Sequence, residues 1–174
     1  MSFDYGKFEN GLLSAVEDYA KKQLDNKDDI YIMSIEYYPD FTTFVVIRGN
    51  TYSYLNEQVE ADDEDYTYYK FCEEEWDLYN DLPELSKDLQ VEYANMDELY
   101  GDDEFDVLQE EHATKITDVC KNAMKRFKET DTFKEYPKLY LNVYVREYFS
   151  SEEIIEIFRE INGDENIEEY SSWL

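Results

Sequence analysis

The chain has 174 residues, enough for one domain, and 44 acidic against 16 basic side chains leave it a formal charge of −28. That charge sets aside direct binding to nucleic acid or to an anionic membrane, since both repel it. Aromatics at 17% of the residues, with Ile, Leu and Val recurring throughout, set aside a disordered acidic tail.

No apolar run approaches the roughly 18 residues of a membrane span. The N-terminus MSFDYGKFENGLL is acidic and amphipathic, unlike the basic-then-apolar pattern of a signal peptide, so a cytoplasmic location is expected. Cys72 and Cys120 are far apart and match no metal spacing, so both are expected to be reduced and partly buried. With few Gly and Pro, residues 1–174 read as a single domain in which only 164–174 forms an acidic, mobile or docked tail.

A helix is predicted over Tyr5 to Leu24, with Phe8, Leu12, Val16, Tyr19 and Ala20 on one face and lysines near its C-terminus in KKQLDNKDD. IYIMSIEYY (Ile30 to Tyr38) and FTTFVVIRG (Phe41 to Gly49) read as two strands joined by turn chemistry at Pro39-Asp40. Apolar residues on both faces of the second strand suggest a central position. Thr51 to Glu60 suits a short helix, and the acidic knot EADDED after it must be solvated. Tyr66 to Phe71 reads as a third strand, rich in Tyr and Phe. Glu73, Glu74, Glu75 and Trp76 begin a helical turn.

Asp81 is a candidate N-cap, with Pro83 just inside a helix striped by Leu82, Leu85, Leu89, Tyr93 and Met96. Asp97 to Asp106 reads as an acidic loop before the longest helix, about Glu104 to Glu129, whose apolar face includes His112. Leu139 to Phe149 alternates strictly, with Leu139, Leu141, Val143 and Val145 on the buried face and Tyr140, Asn142, Tyr144, Arg146 and Tyr148 on the other. Ser150 with Glu153 forms a capping box for a final helix that turns Ile154, Ile157, Phe158 and Ile161 inward and ends at Asn162-Gly163. The order implies an α+β domain, a mainly antiparallel sheet of about four strands with helices packed on it.

Catalytic chemistry is sparse. His112, the one histidine, has no nucleophile or second acid suggested beside it, which favours a structural role. Asp62-Asp63-Glu64-Asp65 and Asp102-Asp103-Glu104 lack the register of a calcium loop, and no His or Cys supports a transition-metal site. No glycine-rich phosphate loop is present. The chain therefore reads as a non-enzymatic protein without cofactor or metal. YTYYKFCEEEWDLYND, from Tyr66 to Asp81, carries two readings. In one it is core, with Tyr69, Phe71 and Trp76 buried. In the other Tyr66, Tyr68 and the carboxylates also line a surface, tyrosine supplying contact area and acids pairing with a partner's Arg or Lys.

Tyr68-Tyr69-Lys70-Phe71-Cys72-Glu73-Glu74-Glu75-Trp76 resembles the YYRWSPAEW-like signature of a family of small bacterial proteins described as a domain of unknown function. The N-terminal helix, the hairpin, the threonine-led TYSYL and the closing EIFREIN also resemble that family in order. The family brings no catalytic residues. The resemblance implies, by association, a small acidic immunity protein that neutralises a secreted, basic, nuclease-like toxin. The expected partner surface is Asp62, Asp63, Glu64, Asp65, Tyr66, Tyr68, Glu73, Glu74, Glu75, Trp76, Asp102, Asp103, Glu104 and Asp106. A nucleic-acid mimic that inhibits a DNA-binding protein, a soluble adaptor and an enzyme with a carboxylate-only site are the alternatives, the last requiring paired acids with raised pKa values.

Overall fold

The computed structural model describes residues 3–24, 29–39, 43–99, 102–136, 138–145 and 148–174. Helix α1 (Tyr5–Leu24) leads into β1 (Ile30–Tyr38) and β2 (Phe44–Thr51), then α2 (Tyr52–Gln58), α3 (Tyr66–Phe71) and a 3-10 turn at Glu73–Glu75. Next come β3 (Leu78–Asp81), α4 (Pro83–Leu99), α5 (Asp102–Phe127), α6 (Asp131–Lys134), β4 (Tyr140–Val145), α7 (Ser151–Asn162) and α8 (Ile167–Ser171). The expected turn residue Asp40, the strand residues Phe41, Thr42 and Arg146, and positions 25–28 and 100–101 lie outside the described residues.

The four strands form one sheet in the order β3-β2-β1-β4. β1 pairs antiparallel with β2, and β2 with β3, but β1 pairs parallel with β4. The α+β class stands, with a mixed sheet: two pairings are antiparallel and the third is parallel, because β4 returns only after the chain has crossed through α4, α5 and α6.

Each face of the sheet carries its own core. On the first face Met33, Ile35, Tyr37, Val45, Ile47, Leu141 and Val143 meet the apolar stripes of α1, α4 and α5. On the second face Tyr31, Ile32 and the half-buried Tyr140 meet Leu55 of α2, Phe71 of α3, Phe158 of α7 and Tyr170 of α8. A register shift between Ile30 and Ile32 places Tyr31 and Ile32 in the same second-face cluster. Helix α7 joins the two cores, giving Ile157 and Ile161 to the first and Ile154 and Phe158 to the second.

Local chemistry accounts for many boundaries. Thr51 caps α2 by accepting from the Tyr54 N–H at 3.1 Å. Ser150 and Glu153 form the expected capping box, and Gly163 ends α7 at a φ of 85°, a left-handed backbone that glycine adopts without a Cβ penalty. Asn162 finishes that helix and also accepts from the Leu141 N–H and donates to its carbonyl, satisfying part of the β4 backbone.

Three expectations need correction. Tyr66 to Phe71 is helical, not a strand. Its β-forming residues do not alternate apolar with polar, and the helix buries Lys70 and Phe71 together, so packing overrides propensity. The third strand is instead Leu78–Asp81, which makes Asp81 a strand end, and α4 begins directly at Pro83. The acids of 97–99 and 102–106 belong to the ends of α4 and α5 and are not a long loop. Of the two readings of the tail 164–174, mobile or docked, the structure has the docked one, held chiefly by Tyr170, fully buried in the second core, with Trp173 half-buried beside it.

Phe158→Ala should cost ~3–5 kcal/mol, since the ring sits in the second core and stacks on Tyr170 at 3.8 Å between centroids. Urea unfolding measures the loss, and a cost under about 1 kcal/mol would contradict this packing.

Candidate functional site

Residues 62–76 face both ways. Asp62, Asp63, Glu64 and Asp65 form an exposed turn between α2 and α3. Tyr66 is half-buried, its ring 5.9 Å from the Lys70 ammonium. Tyr68 is 39% exposed and its hydroxyl donates to Glu75 at 3.3 Å. Glu74 is exposed and Glu75 half-exposed. Glu73 and Trp76 point the other way, 1% and 5% exposed, and so cannot belong to a contact surface. A 3-10 turn places three successive side chains about 120° apart, so three consecutive glutamates cannot all face water when one side of the turn lies on a sheet.

Asp102, Asp103 and Glu104 open α5, their side chains lying outside the described set, and Asp106 is exposed one turn on. α5 covers the first face of the sheet, whereas α3 and the 3-10 turn cover the second. Helix α5 and the segment 62–76 are thus on opposite sides of the sheet, and the expected partner surface divides between them. Its compact half is Asp62 to Asp65, Tyr66, Tyr68, Glu74 and Glu75.

Beneath that half lies a polar network invisible in the sequence. Glu36 of β1 is fully buried, accepts from Tyr38 Oη at 2.5 Å and pairs with Arg48 Nε from β2. Arg48 also donates through Nη1 to the Glu73 carbonyl at 3.4 Å, and its guanidinium lies 5.2 Å from the centre of the Tyr79 ring of β3. The Glu73 carboxyl accepts from Asn142 Nδ2 of β4 at 2.6 Å, and the same amide donates to Tyr170 Oη of α8 at 3.1 Å. All four strands, the 3-10 turn and the last helix thus meet in one network. Burial, with added repulsion from Glu36, pushes the Glu73 carboxyl up to about 8, against the smaller opposing effects of its own backbone, Asn142 and Arg48. Burial likewise raises the Tyr144 hydroxyl beside it to about 12.

Glu36, Glu73, Asn142 and Tyr170 of the network are buried, whereas Arg48 and Tyr79 reach the surface, and two buried polar atoms here lack a hydrogen-bond partner among the described residues, Asn142 Oδ1 and Trp76 Nε1. Chemically the network pairs a carboxylate fixed by a guanidinium with a carboxyl that stays protonated at neutral pH. The signal for it was present only in part: Asn142 lies between Tyr140 and Tyr144 on one face of its strand, and Glu36 between Ser34 and Tyr38, which does not by itself mark Glu36 as buried.

His112 is a core residue. It is 3% exposed, its Nδ1 lies 2.8 Å from Tyr5 Oη, and Phe3 and Tyr93 pack edge-on against its ring. Burial, with a smaller push from Lys115, lowers its pKa to about 4. Cys72 and Cys120 are free and buried. Among the described residues no group of three or more His, Cys, Asp or Glu side chains could hold a metal ion, and no helix is long and apolar enough to cross a membrane.

A family model described as a domain of unknown function, DUF4303, matches residues 12–163. No curated protein and no solved structure matches the chain.

Two consequences are measurable. Between pH 4.5 and about 8 native Glu73 holds a proton that the unfolded chain has released, so its contribution to stability is full below 4.5 and is lost as pH rises through about 8. Glu73→Gln should remove that fall. The difference in unfolding free energy between wild type and variant, measured across this window, cancels the His112 titration common to both; a difference independent of pH would sink the assignment. Arg48→Met strands the buried Glu36 charge and should cost ~3–5 kcal/mol, most of it recovered in the Glu36→Gln/Arg48→Met double variant. Chemical denaturation of the four proteins in the cycle reads this directly.

Proposed function

The chain belongs to the DUF4303 family, a domain of unknown function, and we propose that this member is a non-enzymatic binding protein for a basic partner, an immunity-type inhibitor of a nuclease-like bacterial toxin. The observation that carries the reading is the two-sided segment 62–76. Its outward side offers Asp62 to Asp65, Glu74, Glu75 and the exposed Tyr68. Its inward side is anchored by Phe71, Glu73 and Trp76. A carboxylate surface held rigid from below loses little entropy on binding, and a charge of −28 steers it towards a positive target. Tyr68 supplies contact area at the low conformational cost of a tyrosine. The inhibitor then occupies, with carboxylates, a cationic site that otherwise takes phosphates.

A second reading has one observation in its favour. Glu73, with its raised pKa, lies close enough to Glu36 to feel its charge, and a pair of unlike carboxyl groups is the minimum for acid–base chemistry. Both are buried, however, and Glu36 is already committed to Arg48 and Tyr38. Binding is the better-supported function.

The test is capture from the native host at low salt with the tagged full chain, followed by kinetics on the protein released by a salt step. A basic toxin whose activity the chain quenches is the expected product. Neutralising Asp62, Asp63, Glu64 and Asp65 to their amides should slow association by roughly tenfold or more while dissociation changes little, and added salt should slow the wild type towards the variant. An association rate indifferent to salt and to the four substitutions would refute a steering role for this surface.

A further inference from the structure

A groove of about 300 Å³ opens at the junction of α2, β4 and the end of α7. Two lysines, Lys128 and Lys138, line it, and among the described residues neither has a carboxylate within ion-pair distance. That is unexpected in a chain with 44 acids for 16 bases. Lys128 follows α5 directly and is half-buried. Its Nζ donates to the Ile161 carbonyl in the last turn of α7 at 2.8 Å and lies 6.0 Å from the centre of the Phe133 ring. Burial lowers its pKa, with no neighbouring acid to offset the cost. The α7 terminus accounts for one of the three ammonium donors of Lys128, and it does not account for Lys138.

The walls are aromatic. Tyr52 is 41% exposed and is held in place by stacking on Tyr31 at 4.6 Å. Tyr140 is half-buried, and burial followed by the charge of Glu169 raises its hydroxyl pKa, so it is a hydrogen-bond donor at neutral pH. Glu165 stands at the same groove as the one opposing charge. The volume is at the small end of ligand sites, and the lining is mixed, with Tyr52, Phe133, Leu139 and Tyr140 beside the two lysines, Asn162, Glu165 and Asn166.

We propose that this groove binds a small anion carried on a flat ring, an aryl phosphate or aryl carboxylate. Its anionic group supplies the counter-charge that Lys128 and Lys138 lack, and its ring lies against Tyr52 and Tyr140. The site is independent of the acidic surface of residues 62–75 and stands or falls separately from it.

The probe is phenyl phosphate, titrated into the full ¹⁵N-labelled chain at fixed ionic strength and followed by NMR, with inorganic phosphate and phenol as separate titrants. Saturable shifts confined to the groove, at least about tenfold weaker for either fragment alone, are expected. Lys128→Met should weaken phenyl phosphate by roughly tenfold. Lys138→Gln removes an exposed cation and should weaken it by about two- to fivefold, while Glu165→Gln should tighten it by a similar factor. These last two substitutions are at exposed positions and leave folding intact, so they decide the matter even if Lys128→Met unfolds. No saturable shift at millimolar phenyl phosphate, or an affinity unmoved by Lys138→Gln and Glu165→Gln, would overturn the proposal. Inorganic phosphate binding as tightly as phenyl phosphate would also overturn it, since the rings would then contribute nothing.

Discussion

All nine residues of β1 are buried, and the rest of the molecule is arranged to satisfy that strand. A strand with one wet face needs a single layer of helices. A strand covered on both faces needs two, and its polar side chains must then find partners inside the protein. The first requirement is met by α1, α4 and α5 on one side and by α2, α3, α7 and α8 on the other. The second is met by the network around Glu36.

Burying Glu36 sets off a sequence of obligations. Its charge needs Arg48 from the neighbouring strand, and Arg48 in turn reaches the Glu73 carbonyl in the 3-10 turn. Glu73, whose carboxyl is raised chiefly by burial and further by Glu36, takes the Asn142 amide, which is shared with Tyr170. A buried pair of this kind adds little net stability, because desolvation offsets the attraction. Its effect is on geometry: strands, turn and closing helix are held in one arrangement. Glu73 and Trp76 face inward along the same segment that turns Tyr68, Glu74 and residues 62–65 outward. The interior network and the acidic surface are therefore two sides of one segment.

Much of this fold was legible. α1, β1 and α7 stand where periodicity placed them, with the Ser150 capping box and the Gly163 stop, because each has a strong local pattern and its own terminal chemistry. The stripe of α5 ran true from Phe105 to Phe127, His112 included. Tyr66–Phe71 was not legible: its aromatics favour a strand, and only the slot between β1, α7 and α8 selects a helix. β3 has four residues, too few for any alternation to register, and exists because β2 offers it an edge. Glu73 looked like surface and Trp76 carried both a core and a surface reading, since a run of three glutamates beside a tryptophan gives no sign of which one faces inward.

Composition and periodicity alone determined that this is one acidic α+β domain with a hairpin, a long amphipathic helix and no conventional catalytic motif, since those properties depend on counts and on spacing along the chain. The tertiary structure decided which acids are outside. It put the 62–75 segment and α5 on opposite faces, buried Glu36 and Glu73 in one network, and, among the described residues, left Lys128 and Lys138 without a carboxylate at ion-pair distance. Each of these depends on distances between residues remote in sequence, set by how the strands pair and which face each helix covers, and a one-dimensional pattern carries no such distance.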